Sequence, residues 1–504
     1  VAGLKVFNGH NFVTYLLNMI PIHRYPSTIL AFILLGPMAQ AQLEQSVFNT
    51  TGRGAALTFV TDYQSVGINP ANLGWQPKYE GKTIAFGFIE GSYSLHSTAL
   101  TKSRLRSEIF QSGSSFSWSD KQDAARAFAD AGFVLNADVM FLGASYHGQK
   151  WGGLGFQIRD HAQWSSKFNK LVSELIFQGS SADYFDLLVL ASGDTISNPD
   201  QLTDEQLAQI VAGIATHPQP LAQLLNGSHL KATWYREYNL SYGKALVQND
   251  GGLDLYAGVG VKYLIGVGII DIRADGNEFN AFSSLSPDFN IDYGNGVGRR
   301  GSRQAFFPEG AGKGWGFDLG LSAIVNDRIK LAASVNNIGS IEWTGNAFRG
   351  TNAVLENLTT NGLENYNLFD GIDDFVTNSG LLEWDKVSSQ RIALPTNLRV
   401  GGGYIVNEQI EVGLDVLVPL NDAPGNFEKP LFGIGGHVMP VKWLQLSAGI
   451  SGGGDYGTKV PLGITFIAGQ GTWEAGIASR DVVTFLASED PTLSLALGFL
   501  RFRF

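Results

Sequence analysis

From about residue 80 onward, apolar side chains recur at every second position. Between 253 and 265 one parity reads Leu253, Leu255, Ala257, Val259, Val261, Tyr263 and Ile265, and the other Asp254, Tyr256, Gly258, Gly260, Lys262 and Leu264. A period of two with one apolar face predicts a strand, and this one is longer than strands of most globular domains. The pattern returns where Trp315, Phe317, Leu319 and Leu321 alternate with Gly316, Asp318, Gly320 and Ser322. It returns again where Leu398, Val400 and Tyr404 alternate with Arg399 and Gly401, and where Ile410, Val412, Leu414 and Val416 alternate with Glu411, Gly413 and Asp415. Aliphatic residues on one face, with glycine and charge on the other, predict lipid outside and a lumen inside. Asp254, Lys262, Asp318, Arg399, Glu411 and Asp415 then face the lumen. Mutual pairing and hydration is the plain reading of these charges, and a role in permeation the sharper one.

The connections alternate in length. Tight turns are expected near 148–151, 248–251, 326–328, 407–408, 440–442 and 470–472, with Gln248-Asn-Asp-Gly251 and Asn326-Asp-Arg328 as turn-type sequences. Long connections separate them at about 101–130, 165–229, 274–311, 345–390, 420–429, 453–458 and 485–491. Thirteen connections of strictly alternating length require fourteen antiparallel strands with both ends on one side, the arrangement of a bacterial outer-membrane barrel. Residues 277–293 read as a further strand, which parity assigns to a loop. The expected fold is therefore all-β: a 14-stranded transmembrane barrel over 81–504, preceded by a plug or hatch over 42–80. The chain closes on Leu500-Arg-Phe-Arg-Phe504, which places Phe502 and Phe504 toward lipid and Arg501 and Arg503 at the lumen rim. Upstream, Leu493, Leu495, Leu497 and Phe499 share the arginines' parity, so either the lumen is partly apolar there or a bulge shifts the phase.

Residues 1–41 read as a mis-set start followed by an export signal. Met19 opens a short basic region, Thr28–Leu35 is unbroken apolar, and Ala39-Gln-Ala41 is a small-x-small cleavage site. The apolar run is too short to span a bilayer. Removing residues 1–41 takes Lys5 and Arg24 and no acid, leaving 33 basic against 46 acidic residues, a net charge of −13. Such an acidic exported chain is not a nucleic-acid binder. It contains no cysteine, which removes disulfide frameworks and thiolate chemistry. A mean hydropathy of +0.02 is too low for a helical membrane bundle.

The segment before the first strand contains Thr51-Gly-Arg-Gly-Ala-Ala-Leu57 and Gly67-Ile-Asn-Pro-Ala-Asn-Leu-Gly-Trp75. On these pieces the chain resembles the FadL/TodX and PorV type of fourteen-stranded barrel, in which an N-terminal segment forms a hatch in the lumen. Asn69, Pro70, Ala71 and Trp75 are the hatch residues the resemblance implies; a plain turn would use the same Asn-Pro-Ala. Through Tyr235–Gly243, Val259–Gly266, Asn337–Trp343 and Leu394–Gly401 it resembles, more closely, an uncharacterised Bacteroidetes outer-membrane barrel family. A terminal Phe504 after alternating apolar residues is similar to the signal read by the barrel-assembly machinery.

The loop at 165–229 holds Thr203-Asp-Glu-Gln206, a capping box, followed by Leu207, Ile210, Val211 and Ile214, which predicts a helix ending near Pro218. This loop and 345–390 are both acidic. Solvated surface is the ordinary reading, and calcium binding near lipopolysaccharide the sharper one. Gly449-Ile-Ser-Gly-Gly453 matches G-x-S-x-G but lacks the strand-turn-helix context of a nucleophile elbow. Asp288–Asp292 opens like a calcium loop, with Gly and Glu out of place. No histidine pair has metal-ligand spacing. The expectation is a protein of the Gram-negative outer membrane that makes and breaks no bond and uses no cofactor or metal. Passage of a small hydrophobic molecule comes first, a non-transporting PorV-like scaffold for a secretion-system or surface-protein partner second, and an outer-membrane hydrolase third.

Overall fold

The computed structural model describes residues 47–101, 116–199, 202–249, 252–289, 307–363, 381–454, 457–483 and 492–504, together with Ile291, Tyr293, Gly301 and Leu486. The expected export signal over residues 1–41 and the first residues of the expected hatch, 42–46, lie outside the described residues.

Fourteen long strands form the barrel wall: β1 (Ile84–Ser97), β2 (Gly132–Gly148), β3 (Gly152–Lys167), β4 (His229–Val247), β5 (Leu253–Asp275), β6 (Gly312–Val325) and β7 (Ile329–Trp343) make the first half. β8 (Asn397–Asn407), β9 (Ile410–Pro419), β10 (Leu431–Val441), β11 (Leu444–Gly453), β12 (Leu462–Ala468), β13 (Trp473–Ser479) and β14 (Thr492–Arg503) make the second. Each pairs antiparallel with its sequence neighbour, and β14 returns to β1 with Phe502 opposite Phe86 and Ser494 opposite Ser94. The sheet is closed, so no edge remains unpaired in the wall. All six tight turns fall where the sequence places them.

Outward residues such as Val259, Leu319, Leu321, Val400, Leu414, Ile434 and Ile450 are about half exposed. Trp443 and Phe466 stack at 6.3 Å on the turn side, and Tyr263 meets Trp315 at 5.2 Å toward the loops. An apolar belt flanked by aromatics is what a barrel shows to acyl chains.

One open alternative is decided and one expectation is corrected. The phase change in β14 is a bulge: Glu474 faces Arg501 while Gly476 faces Gly498, so one extra residue sits on β14. Phe499 and Leu500 therefore both point outward, Phe499 at 53% exposure, and Ala496 and Gly498 turn inward. Leu495, Leu497 and Phe499 share this outward phase, so they do not make the lumen apolar. The neighbouring strand breaks at the same height, where Ile89 of β1 adopts φ 50°.

The helix expected over 203–218 is a single turn, Asp204–Leu207, followed by a strand, Ile210–Pro220. The capping box forms, with the Thr203 backbone N–H donating to Gln206 Oε1 at 3.0 Å and the Gln206 N–H to Thr203 Oγ1 at 3.2 Å. Beyond it, β-branched Ile210, Val211, Ile214 and Thr216 favour extended backbone, and Gly213 costs a helix about 1 kcal/mol. Leu187–Leu190 and Val354–Leu358 then supply ladder partners on either side.

On the loop side the connections build a folded cap. Its helices, Trp118–Phe128 and Lys170–Gln178, pack with Phe128 and Phe177 rings 5.1 Å apart. Leu95, Phe133, Leu135, Ile270 and Ile272 from the tall ends of β1, β2 and β5 continue the same buried apolar cluster, with Phe348 and Trp384. The extra strand near 277–293 is Glu278–Leu285, a hairpin partner of β5 residues Gly268–Asp275 that belongs to a loop, as parity requires.

Candidate functional site

Residues 47–80 form short helical turns rather than long regular elements, and almost all are buried from Val47 to Trp75. They run against the inward face of the whole wall. A Cβ added to an inward glycine would strike this segment on thirteen strands; examples are Gly87 on Tyr63, Gly153 on Leu73, Gly243 on Pro70, Gly413 on Phe59, Gly435 on Arg53 and Gly498 on Phe48. The fourteenth strand, β7, contributes Ser334 and Asn336, whose side chains donate to the Ile68 carbonyl at 2.7 and 3.2 Å. Glycine is required at these positions because the space of a side chain is already taken, by backbone of the segment at Gly153, Gly243 and Gly435 and by one of its aromatic rings at Gly87, Gly413 and Gly498.

Pro70–Gly74 is one 3-10 turn capped by Asn69, whose Oδ1 accepts from the Ala71 N–H at 3.1 Å. Asn69 Nδ2 donates to the Leu321 carbonyl at 3.2 Å, and a Cβ on Gly320 would lie 2.0 Å from Asn69 Oδ1. Trp75 Nε1 donates to Ser322 Oγ at 2.9 Å, under Lys330, whose Nζ lies 5.1 Å from the ring centroid. The four residues singled out by resemblance are thus gathered against β4, β5 and β6.

The inward charges fall into separate groups. Asp415 accepts from the backbone N–H groups of Ala56 and Leu57 at 2.5 and 2.7 Å. Glu411 pairs with Lys330 at 2.6 Å, and Lys330 reaches the Thr58 carbonyl at 3.4 Å. Lys262 lies 3.1 Å from both Glu237 and Asp318, and Asn239 donates to the same two carboxylates. Asp318 also accepts from the Asn337 N–H at 2.9 Å, where Asn337 takes φ 62° at a bulge of the β6–β7 ladder. Arg399 is buried on β8. Asp254 sits apart at the turn end, capping the Asn249 N–H at 3.0 Å.

Sequence reasoning did not single out the partners that complete these groups. Asp62 of the internal segment meets Arg501 at 2.7 Å and Arg503 at 2.9 Å, and the same arginines meet Glu474. Glu90 accepts from Tyr63 and, at 2.9 Å, from Gln64. Burial, and next the charge of Glu90, push the Tyr63 hydroxyl well above the usual tyrosine range, which keeps it a donor. Nearer the loops, His161 lies between Asp138 at 3.3 Å and Glu237 at 3.5 Å, and Arg159 pairs with Asp138. The alternation of Tyr238, Leu240 and Tyr242 against Glu237, Asn239 and Ser241 was the available signal for part of this set.

Phe502 and Phe504 lie on the outward side, Phe504 at 58% exposure, while Arg501 and Arg503 are buried within. Ser451 of the G-x-S-x-G match lies within β11. Among the described residues, no three His, Asp or Glu side chains are grouped to hold a metal ion.

Fold and interior together define a plugged fourteen-stranded β-barrel with a folded cap. Within that class the chain belongs to the family of unknown function DUF5723, whose family model matches residues 204–470. No curated protein matches the sequence. Among solved structures, the chain is similar to the TodX deltaS2S3 mutant monoaromatic hydrocarbon channel, at 12% identity and a TM-score of 0.43 over 92% of this chain and 99% of that one. It is similar in the same coverage to the Pseudomonas putida toluene transporter TodX (11%, 0.39) and the Ralstonia pickettii toluene transporter TbuX (12%, 0.40). Likeness at this level carries no inference about ligand or transport.

Proposed function

We propose that this protein is an outer-membrane barrel, closed at rest, that serves as a membrane-seated platform for its cap, and that the cap engages a protein partner outside the cell. The observation that carries the reading is the contact of residues 47–80 with all fourteen strands. Six buried or part-buried bonds between charged side chains and the hatch secure it: two accepted by Asp415, two accepted by Glu90, and two that Arg501 and Arg503 donate to Asp62 of the hatch. Each is a bond to a charged group, of a kind with a net worth of about 1.5–3 kcal/mol. In this reading residues 1–41 direct export, Phe502 and Phe504 are read by the assembly machinery, and lipid and lipopolysaccharide surround the belt.

A second reading is passage of a small hydrophobic molecule. It is favoured by a cleft at the turn end, between the hatch and β1–β2, lined by Leu73, Trp75, Pro77, Tyr79, Ile84 and Tyr146. Conductance in planar bilayers and uptake of a hydrophobic solute by expressing cells separate the two. The intact protein is expected to be silent in both, and deletion of residues 42–75 to open ion steps. Solute uptake by the intact protein, abolished by Trp75→Asp with the barrel still assembled, would replace the platform by the channel.

A further inference from the structure

One part of the cap is built as a surface rather than as a lid. Thr195–Ser197, Leu187–Leu190, Ile210–Pro220 and Val354–Leu358 form a separate four-stranded antiparallel sheet, not hydrogen-bonded into the barrel wall. Its inner face is fully engaged. Leu188, Leu202 and Ile210 pack on Trp118, and a Cβ on Gly213 would lie 2.2 Å from the Ser180 carbonyl. The outer face sets Leu187 opposite Ile214 and Val189 opposite Ala212, all only half-buried, with Val211 at 45% and Val354 at 47% exposure beside them. An open groove runs along Ala212, Ile214, Thr216 and Pro218 to Glu356.

Charge decides what fits there. No lysine or arginine occurs from residue 171 to 230 or from 350 to 385, the two stretches that supply all four strands. Asp183, Asp186, Asp194, Glu205 and Glu356 are exposed. Thr216 donates to Asp186 through its hydroxyl at 2.6 Å and its backbone N–H at 2.8 Å, and these donors hold that carboxyl below the usual carboxylate range. An apolar strip with an unbalanced acidic rim repels the phosphates of lipopolysaccharide and of other polyanions. It complements a polypeptide that sets apolar side chains among lysines or arginines.

We infer that the outer face of this sheet is the docking site for a basic, strand-forming protein segment, which lays apolar side chains on Leu187, Val189, Ala212 and Ile214 and matches its cations to the acidic rim. The inference rests on the platform reading and names the chemistry of its partner.

The test uses the full chain in lipid nanodiscs and a fluorescent peptide of alternating lysine and isoleucine, with a glutamate-isoleucine peptide as control. Anisotropy is expected to show salt-sensitive binding of the lysine peptide alone. Asp194→Lys with Glu356→Lys should weaken it tenfold or more, while Asp275→Lys with Glu278→Lys, at acids off the sheet, leaves it unchanged. Equal loss in both pairs would reduce the effect to general attraction and overturn the inference. So would a gain in affinity when Lys102, Arg104 and Arg106 are replaced by serine, because the face would then belong to the chain's own basic residues. Calcium-dependent binding of lipopolysaccharide vesicles, lost in the same sheet variants, would overturn it in favour of a polyanion. A protein that conducts at rest yet binds the peptide through the sheet would sink the platform reading and leave the docking site standing.

Discussion

The hatch half of the cylinder and the cap half are filled by opposite means, although the same strands wall both. Against residues 47–80 the wall presents glycine, serine, asparagine and paired charges; beyond a further charged layer at Asp138, Arg159, His161 and Glu237, it turns Leu95, Phe133, Leu135, Ile270 and Ile272 toward the cap. The difference follows from where each filling finds its backbone hydrogen bonds. The hatch consists of isolated turns, so many of its N–H and C=O groups need partners from outside. Asp415 serves Ala56 and Leu57, Gln157 donates to the Tyr63 carbonyl at 2.6 Å, and Ser334 and Asn336 serve Ile68. The cap contains helices and a sheet that satisfy their own backbones, so the wall around it is free to be apolar. An interior is polar here because of the secondary structure that the filling lacks.

Several changes would break or sharpen this contrast. The largest effect is expected from Gly320→Val, whose Cβ would lie 2.0 Å from Asn69 Oδ1. Proteolysis within 47–80 should go from absent to complete, or the barrel should fail to assemble. Gly402→Ala, whose nearest neighbour is 3.9 Å away on the lipid side, should do neither.

Phe177→Ala removes a fully buried cap ring and should cost the cap about 3–5 kcal/mol. Hydrogen exchange would rise across Trp118–Phe128 and Lys170–Gln178 while the hatch stays protected. Faster exchange in both regions would show that hatch and cap are one cooperative unit.

Asp415→Asn keeps the shape but weakens the acceptor for two N–H groups, and should loosen the hatch locally by about 1–3 kcal/mol. The amides of Ala56 and Leu57 are the ones to follow by exchange, with the cap unchanged.

The smallest effect concerns acid. Asp186 has its carboxyl depressed by Thr216, so its contribution is whole above the unfolded value of about 4 and is lost as pH falls through the lower folded value. Exchange around Ile210–Pro220 should be flat from neutral pH down to about 5 and rise only below about 4. A rise between pH 7 and 5 would assign the transition to a histidine instead.

Much of the fold was legible because it depends on neighbours in the chain. Period-two alternation, turn residues and the short-long rhythm of connections gave fourteen strands and placed every tight turn. Legibility ended where one residue changes the phase. The clash of parity between Leu493–Phe499 and Arg501 signalled either a bulge or an apolar lumen, but only the pairing of Arg501 with Glu474 and Asp62 decides for the bulge and places it at Phe499 and Leu500. Ile210–Pro220 satisfied both periods, and the choice fell to ladder partners about 20 and 140 residues away.

The sequence by itself therefore determined the wall: which face is greasy, where it turns and how many times it crosses. It also marked the inward glycines and charges as a set. Only the tertiary structure decided what they are for, because each glycine is defined by the piece of the hatch, backbone or side chain, that approaches it and each charge by a partner up to 441 residues away. Local patterning follows from covalent neighbours and solvent. The closeness of hatch and wall, and the pairing of charges removed from water, exist only once the cylinder has closed around residues 47–80.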